Sequence, residues 1–411
     1  MTQTKFQPIL LGSDFNVYGM ARAFHEQYQI KSIAYSAGEL SPTKYSKIVE
    51  IRPFKGFDED ETFLNVLHQF MEDHKHDDIK YLLIACGDGY AQLVSRYKED
   101  LSKFFIVPYI DYDLYQQLEN KINFYEMCEK YDLPYPSTVV SDYSIKNDIP
   151  AFVDQIKFTY PMVLKPNDSI EYLKYDFEGK KKAFFIESRE EMIDILTKLY
   201  HSGYQAEMII QDMIPGDDSK MRVLNAYVDQ NHKVRMMCLG HPLLEDPSPV
   251  AVGNYLAILP DFNEEIYQLI QNFLESINYT GFANFDMKFD ERDQKYKLFE
   301  INLRQGRSSY YVTLNGYNMA KYITEDRIFN LPFTETIYGK GNKLWLGAPK
   351  ELIQEYVSDP ELKAEITNFI NKKAYGSTVF YVKDSLMNKL INYYTFSRYK
   401  KHFKMYFKKV K

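Results

Sequence analysis

Apolar and polar residues alternate along residues 281–304 in a pattern that predicts two β-strands joined by a charged turn. The apolar positions are Phe285, Met287 and Phe289 on the first strand and Phe299, Ile301 and Leu303 on the second. The polar residues that stand between them are Asn284, Asp286, Lys288, Glu300 and Asn302. Successive side chains of a strand point to opposite faces, so the apolar set is expected to pack on a core and the polar set to line the other face.

The polar face of this hairpin brings like charges together. With the turn centred near Asp293, Asp286 stands opposite Glu300 and Asn284 stands opposite Asn302. Facing carboxylates about 5 Å apart repel by roughly 1 kcal/mol in water-like surroundings and by about 3 kcal/mol at an effective dielectric constant near 20. Two carboxylates and an amide oxygen are ligands that Mg²⁺ takes, and a cation would offset the repulsion. The hairpin alone leaves two interpretations open, a metal site or a solvated face whose acids pair with nearby lysines.

Strand and helix patterns alternate through the first 113 residues. Short apolar strands, among them FQPILL, KSIAYS and IKYLLIA, are separated by helical patterns such as VYGMARAFHEQY. This spacing predicts a parallel α/β sheet, in which ligands bind beyond the carboxyl ends of the strands. Two turns follow strands there, Gly12-Ser13-Asp14 and Gly87-Asp88-Gly89. Each is either a structural turn or a substrate-binding loop, because neither is a complete nucleotide-binding glycine motif.

From residue 114 the pattern changes. LYQQLENKINFYEMCEKYDLPYPSTVV predicts one amphipathic helix followed by a strand, and a domain boundary is expected just before it. The strands YPMVLKPN and KKAFFIES flank a polar segment, residues 168–182, that is expected to form a mobile loop. Further on, the sequence predicts a helix at REEMIDILTKLYHSG, a strand at EMIIQDMIPGDDS, a hairpin at MRVLNAYVDQNHKVRMMCLGH and a helix at EEIYQLIQNFLESI.

Composition indicates a globular protein of two or three domains. The chain has 411 residues, of which 45% are apolar and 26% charged. Its three cysteines are scattered without a CxxC pair, which favours a reduced, cytoplasmic setting over a disulfide or zinc framework. The amino terminus lacks the apolar core of a signal peptide, and no apolar run approaches the length of a membrane span. We therefore expect a cytoplasmic protein.

The net charge of −7 hides a basic carboxyl terminus. Residues 389–411 hold eight Lys or Arg residues and no acid, interleaved with aromatic residues. Three interpretations remain open: a solvated helix packed on the body, a peripheral contact with the anionic inner membrane surface, or an arm for nucleic acid. Nucleic acid is not expected as a partner, because nothing else in the chain is basic.

Two lysines precede the hairpin, and the order of features along the chain is informative. Lys165 ends an apolar strand, where a charged amine needs a partner such as a phosphate, and Lys121 lies on the preceding helix. Either alone is more often an ordinary surface lysine. Together they begin a series that continues with a strand ending in a Pro-Gly-acid turn, then an aspartate, then Glu-x-Asn.

That order resembles the ATP-grasp superfamily of carboxylate-amine ligases. Nearly the whole chain is also similar to the D-aspartate ligases of Gram-positive bacteria, on segments that include PILLGSDFNVYGMAR, YLLIACGDGY, IPGDDSKMRVLNAYVD, CLGHPLLEDP and GFANFDMKFD through EINLRQGRSS. The resemblance implies an N-terminal parallel α/β (pre-ATP-grasp) domain followed by an ATP-grasp fold and a C-terminal extension. The expected bounds are 1–118, then 119–330 with a mobile lid at about 160–215 and a metal-binding core at about 216–330, then 331–411.

The resemblance also implies ATP as co-substrate, Mg²⁺ as cofactor, and a role for individual residues. The implied nucleotide-binding residues are Lys121, Lys165, Lys181, Gln211, Asp212, Ile214 and Asp218. The implied metal ligands are Asp286, Glu300 and Asn302. Candidates for substrate binding and catalysis are Arg304, Arg307 and Asn284, with His241 a weaker one. Two positions depart from the superfamily pattern, since Gln211 stands where an acid is common and Asn284 where D-alanine:D-alanine ligases carry an arginine.

The implied reaction adds D-aspartate, through its β-carboxyl group, to the ε-amine of the lysine in a peptidoglycan stem peptide. The carboxylate would first be activated as an acyl phosphate. The acceptor would be a precursor linked either to UDP or to a lipid. Two alternatives stay open: an ATP-grasp ligase for a different amino acid or amine, and a non-catalytic nucleotide-binding protein.

Overall fold

The computed structural model describes residues 4–248, 251 and 253–407. The chain divides into two compact units. The first unit comprises Met1–Tyr115, Met221–Asp286 and Ile301–Lys411, and the second comprises Gln116–Lys220 and Met287–Glu300. Both units are discontinuous in sequence, whereas the expected domains are continuous, and the expected domain bounds stay a prediction.

The N-terminal part of the first unit is a parallel sheet with helices, as the alternation predicts. Its strands are β1 (Phe6–Leu11), β2 (Ser32–Ser36), β3 (Val49–Pro53), β4 (Lys80–Ala85) and β5 (Phe105–Ile106). Its helices are α1 (Phe15–Tyr28), α2 (Ser41–Lys44), α3 (Asp60–His74), α4 (Asp88–Arg96) and α5 (Lys98–Leu101). The strand order is β3-β2-β1-β4-β5, and all pairs are parallel. Because β1 and β4 are neighbours, the two glycine turns that follow them leave the same edge of the sheet.

The next elements lead into and form most of the second unit. The helices are α6 (Tyr112–Glu119), α7 (Lys121–Lys130), α8 (Ile149–Val153), α9 (Ser169–Leu173) and α10 (Arg189–His201), with a 3₁₀ turn at Tyr143–Asn147. The strands β6 (Thr138–Ser141), β7 (Met162–Pro166), β8 (Phe184–Ile186) and β9 (Met208–Asp212) form an antiparallel sheet in the order β6-β9-β7-β8. Buried residues of β7, β9 and α10, including Leu164, Ile210 and Leu196, form its core.

Two details of this region differ from the sequence prediction. The single helix expected from residue 114 is two helices, because the Asn120 side chain accepts the backbone N–H groups of Ile122 and Asn123 and so begins α7 anew. The segment 168–182, expected to be a loop, contains the short helix α9.

The rest of the first unit, with the hairpin, is built on a larger sheet. After a 3₁₀ turn at Asp218–Lys220, the strands are β10 (Met221–Val228), β11 (Val234–Glu245), β12 (Tyr255–Asp261), β13 (Gly281–Asp290), β14 (Lys295–Asn302), β15 (Ile337–Gly339), β16 (Leu344–Leu346) and β17 (Tyr375–Gly376). Their order is β14-β13-β10-β11-β12-β16-β17, with β15 beside β11. The helices are α11 (Glu264–Ser276), α12 (Tyr310–Leu314), α13 (Met319–Arg327), α14 (Lys350–Tyr356), α15 (Pro360–Asn371) and α16 (Leu386–Tyr406).

The region expected as a C-terminal extension contributes to this sheet through β15, β16 and β17. Trp345, the one tryptophan in the sequence, lies on β16 and is buried. Its indole N–H donates to Oγ1 of Thr378 at 3.0 Å. Residues 331–376 therefore belong in part to the core of the first unit.

The predicted hairpin is present as β13 and β14. The turn spans residues 291–294, and the backbone N–H of Gln294 donates to the carbonyl oxygen of Asp290 at 2.8 Å. Phe285, Met287, Ile301 and Leu303 are buried as predicted, whereas Phe289 and Phe299 are only half-buried. Leu298, which was not expected in the apolar set, is buried. At its start, Gly281 has φ +93°, and a Cβ there would lie 2.1 Å from the carbonyl oxygen of Pro108, so only glycine fits.

Candidate active site

Asp286 and Asn302 are hydrogen-bonded to each other on the polar face of the hairpin. Nδ2 of Asn302 donates to Oδ2 of Asp286 at 3.2 Å and to Oδ1 of Asn284 at 3.0 Å. The Tyr255 hydroxyl, on β12, donates to Oδ1 of Asp286 at 2.8 Å. These bonds fix the orientation of the Asp286 carboxylate from two directions.

Asn284 lies in the interior beside this pair. Its side chain is buried, and its Nδ2 donates to the carbonyl oxygen of Leu224 at 3.3 Å. A Cβ added at Gly306 would lie 3.0 Å from the Asn284 amide, so the backbone after β14 packs closely on it. In this arrangement Asn284 supports Asn302 through its oxygen. The catalytic role expected for it stays a prediction.

Arg304 follows β14 and forms an ion pair with the turn after β4. Its Nη2 donates to Oδ2 of Asp88 at 2.8 Å, and its Nη1 donates to the carbonyl oxygen of Gln305 at 2.9 Å. The Arg304 side chain is 13% exposed and that of Asp88 is 63% exposed. Burial alone would lower the pKa of Arg304, but Asp88, Asp14 and Asp286 outweigh it and the pKa is raised. The guanidinium therefore remains a cation.

The turn after β1 approaches the same segment. Asp14 caps α1 by accepting the backbone N–H groups of Asn16 at 2.9 Å and Val17 at 3.3 Å. Burial raises the pKa of Asp14, while these hydrogen bonds and the charges of Arg307 and Arg304 act in the opposite direction. The Asn16 side chain donates to the carbonyl oxygens of Cys86 and Gln305, both at 3.1 Å. Both glycine turns and residues 304–307 thus meet in one place.

Arg307 and His241 were also expected at the site, and both lie in the first unit. The Arg307 guanidinium lies over the Phe15 ring, 5.0 Å from its centroid, and interacts with the hydroxyl of Tyr399. His241 lies on β11 opposite Leu259 and is half-buried. Arg307 is thus held near Asp14. Two cations, Arg304 and Arg307, therefore lie near two acids, Asp14 and Asp88, in the first unit.

The second unit brings Lys121, Lys165 and Glu300 together. Nζ of Lys121, in the first turn of α7, lies 3.9 Å from Oε2 of Glu300. Lys165 is half-buried on β7, opposite Ile209 of β9. Burial and then the charge of Lys121 lower the pKa of Lys165 to about 8, with Glu300 acting in the opposite direction. In the described residues, Nζ of Lys165 has no hydrogen-bond acceptor, so the site has positive charge that is only partly balanced.

The expected adenine strand is β9. Gln211 is buried and its Nε2 donates to Oγ1 of Thr138 at 2.9 Å. The Asp212 carboxylate pairs with Arg292, whose Nη2 lies 2.6 Å from Oδ2. Lys288 donates to the carbonyl oxygen of Ile214 at 3.0 Å. These contacts fix the side chains of Gln211 and Asp212 at the end of β9 and the carbonyl group of Ile214 just after it.

Two more of the expected nucleotide residues lie in less regular structure of the second unit. Asp218 begins the 3₁₀ turn before β10. Lys181 is exposed, and its carbonyl oxygen accepts the Tyr172 hydroxyl at 2.7 Å. Their expected roles stay predictions.

Two residues at the site, Tyr255 and Arg292, were not assigned a role from the sequence, and Asp88 was named only as part of a turn with two open interpretations. Asp88 could have been chosen, because it lies in a Gly-Asp-Gly turn after a strand. Tyr255 and Arg292 carry no local signal. In the part of the chain that the structure describes, no group of three or more His, Cys, Asp or Glu side chains is arranged to hold a metal. The expected ligand set has only two acids, and it remains a prediction.

Comparison with known proteins decides the family. No family model matches the chain. A D-aspartate ligase of Enterococcus faecium (strain Aus0004) is 55% identical over 410 residues, which is 98% of this chain and 97% of the relative. The chain belongs to the D-aspartate ligase family.

The fold of this D-aspartate ligase family member is also found in solved structures of distant sequence. Phosphoribosylamine–glycine ligase from Thermotoga maritima has a TM-score of 0.56 at 16% identity, covering 82% of this chain and 78% of that chain. L-amino acid ligase from Bacillus licheniformis has a TM-score of 0.51 at 14% identity, covering 79% of this chain and 71% of that chain. A third structure is the biotin carboxylase domain of Hydrogenobacter thermophilus 2-oxoglutarate carboxylase, solved with MgADP. Its TM-score is 0.59 at 12% identity, covering 83% of this chain and 73% of that chain. The predicted ATP-grasp fold is confirmed.

Within residues 4–248, 251 and 253–407, none of the helices combines the length and the hydropathy that a membrane span needs.

Proposed function

We propose that this ligase uses ATP to activate the β-carboxylate of D-aspartate as an acyl phosphate and joins it to the ε-amine of the lysine in a peptidoglycan stem peptide. The observation that carries the proposal is the 55% identity to a D-aspartate ligase across 98% of the chain. The charged groups of the candidate site support it, because an acidic substrate and a triphosphate both need cationic partners. The enzyme would work in the cytoplasm, on a precursor linked to UDP or to a lipid.

Asp286, Glu300 and Asn302 are proposed to hold Mg²⁺. Their oxygens suit a hard cation, and hydrogen bonds from Tyr255 and Asn302 hold the Asp286 carboxylate in place. When bound, the ion would neutralise charge that develops on the transferring phosphoryl group. Tyr255 would keep the Asp286 carboxylate oriented toward it, as partners of metal ligands do.

Lys121 and Lys165 are proposed to bind phosphate oxygens of ATP. The lowered pKa of Lys165 supports this role, since a bound phosphate would offset both the burial and the repulsion from Lys121. For the rest of the nucleotide, the proposal assigns Gln211 and the backbone of Asp212 and Ile214 to adenine and Asp218 to the ribose. Lys181, within the loop of residues 168–182, would help cover the phosphates and exclude water that would otherwise hydrolyse the acyl phosphate.

Arg304 and Arg307 are proposed to bind the acid substrate. Arg304 already donates a hydrogen bond to one carboxylate, that of the largely exposed Asp88. Its guanidinium can therefore bind a substrate carboxylate that approaches from the solvent side. Asn284 would contribute indirectly, by holding Asn302. The neutral lysine ε-amine of the acceptor would then attack the acyl carbon and form the C–N bond. The acyl C–O bond would break, phosphate would leave with its electron pair, and the proton released from nitrogen would pass to the departing phosphate or to water.

The test is turnover with Mg-ATP and a panel of L- and D-amino acids, with and without a lysine-containing muropeptide precursor. Phosphate release and product mass are measured together. We expect product only with D-aspartate plus the lysine acceptor. Equal or faster turnover with another acid would indicate a ligase of different specificity, and no turnover with any pair would indicate a non-catalytic nucleotide-binding protein.

A further inference from the structure

Helix α16 packs on the first unit through only one of its faces. The inward residues are Asn388, Asn392, Phe396, Tyr399 and Phe403, spaced three or four apart, and all are buried. Nδ2 of Asn388 donates to the carbonyl oxygen of Pro42 at 2.7 Å, and the Phe403 ring lies 4.8 Å from that of Tyr356. The helix is therefore held in place along most of its length, and its outward face is presented by the folded protein.

The first half of the outward face is apolar. Leu386, Leu390, Tyr393 and Tyr394 are 72%, 55%, 70% and 65% exposed, and they lie opposite the buried stripe. Val382, just before the helix, is 81% exposed. A cluster of large apolar side chains in water is unfavourable, and such clusters mark surfaces that contact something else.

The second half of the same face is basic. Arg398, Lys400, Lys401 and Lys404 are exposed, and α16 contains no acid. Three further lysines, Lys408, Lys409 and Lys411, lie outside the described residues. Residues 389–411 contain eight of the chain's 50 Lys and Arg residues and no Asp or Glu. The remaining residues therefore contain 42 Lys and Arg and all 57 Asp and Glu. An anionic surface would attract this helix and repel the rest of the chain.

We propose that the outward face of α16 docks the folded enzyme on an anionic lipid bilayer. The apolar half would enter the boundary between headgroups and acyl chains, and the basic half would lie against the headgroups. This charge complementarity favours a lipid surface over a second copy of the chain, because two such faces would bring like charges together. The inference does not depend on which substrates the enzyme joins.

The test is co-sedimentation of the full chain with vesicles of phosphatidylglycerol and phosphatidylcholine in equal parts, compared with pure phosphatidylcholine. We expect binding to the mixed vesicles only, and release as the salt concentration approaches about 1 M. The triple variant Lys400→Glu, Lys401→Glu, Lys404→Glu is expected to bind at least about a hundredfold more weakly. Its matched control is the variant Lys55→Glu, Lys130→Glu, Lys157→Glu, which makes the same charge change at exposed positions elsewhere and should bind to within about threefold of wild type.

A second variant tests the apolar half. Leu390→Ser with Tyr394→Ser should weaken binding to mixed vesicles about tenfold or more, because both side chains would be lost from the lipid. Phosphate release with the soluble substrates should stay at the wild-type rate in every variant, which shows that the fold is intact and separates this inference from the proposed reaction. The proposal is overturned if wild type binds both vesicle types equally or neither, or if charge reversal on α16 has no more effect than its control. It is also overturned if light scattering shows a dimer that the Leu390 and Tyr394 changes dissociate while vesicle binding is absent.

Discussion

In the first unit, the residues of the candidate site are joined to one another by hydrogen bonds, whereas in the second unit the two expected phosphate lysines oppose each other's charge. Asp286 accepts hydrogen bonds from both Tyr255 and Asn302. Lys165, by contrast, has a pKa lowered to about 8 by burial and by Lys121. The first-unit residues are thus oriented before any ligand binds, whereas an anionic ligand in the second unit would reduce the repulsion between Lys121 and Lys165.

This difference indicates that the first-unit residues contribute mainly to folding stability and the second-unit lysines mainly to the free energy of ligand binding. Hydrogen bonds among the first-unit residues stabilise the folded protein and fix the geometry in advance. The partly balanced positive charge of Lys121 and Lys165 costs stability, and that cost becomes binding free energy when an anion neutralises the charge. Changes in the two units should therefore act differently on stability and on binding.

The largest effect is expected from Glu300→Gln. This change keeps the shape but removes a carboxylate from the proposed metal ligands, so turnover should fall by about a hundredfold to a thousandfold while the circular dichroism spectrum stays unchanged. The matched control is Glu265→Gln, an exposed acid on α11. Turnover by Glu300→Gln close to that of the control would remove the metal assignment.

Lys165→Met tests the comparison most directly. Nucleotide affinity, measured by calorimetry, should fall by about a hundredfold, because a charged hydrogen bond to phosphate is lost. The free energy of unfolding at pH 7 should rise by up to roughly 3 kcal/mol, since a partly buried, repelled charge is removed. A loss of stability in Lys165→Met would contradict the contrast between the two units.

Asn302→Ala should have the opposite effect on stability. It should lower the free energy of unfolding by about 1 to 3 kcal/mol, because the buried Asn284 side chain loses a hydrogen-bond donor.

The pH dependence follows from the same lysine. Its pKa is lowered in the folded protein, so the destabilisation is fully present below pH 8 and disappears as the pH rises toward the unfolded value of about 10.5. Nucleotide affinity should fall by up to about tenfold per pH unit above pH 8, as the lysine loses its proton. Calorimetry at pH 7 and pH 9 measures the change, with Lys165→Arg as the control whose affinity should be nearly independent of pH. Equal pH profiles for wild type and Lys165→Arg would show that another group titrates.

The smallest effect is expected from Tyr255→Phe. Losing one hydrogen bond to Asp286 should weaken Mg²⁺ affinity by about fivefold without changing the nucleotide affinity measured in the absence of metal. Tyr338→Phe, which removes a hydroxyl bonded to Gln271 at 2.7 Å on α11, is the control. An equal change of metal affinity in both variants would argue against orientation of Asp286 by Tyr255.

The sequence predicted what depends on local pattern. Alternation along residues 281–304 predicted the hairpin and its turn. The ATP-grasp fold was implied by the resemblance that the series of lysines, acids and Glu-x-Asn carries. The strand Val49–Pro53 was not predicted, because its charged residues and terminal proline weaken the apolar signal. The contacts that complete the candidate site span long distances in sequence, since Arg304 meets Asp88 across 216 residues and Tyr255 meets Asp286 from another strand. No period in the sequence encodes such contacts.

Trp345 gives the chain a built-in optical reporter. It is the single tryptophan and lies buried on β16 of the first unit, so its emission reports the first unit alone. Far-ultraviolet circular dichroism, in contrast, responds to helices and strands of both units. If the second unit opens at lower denaturant concentration than the first, the dichroism signal should begin to change while the tryptophan emission is still that of the native state.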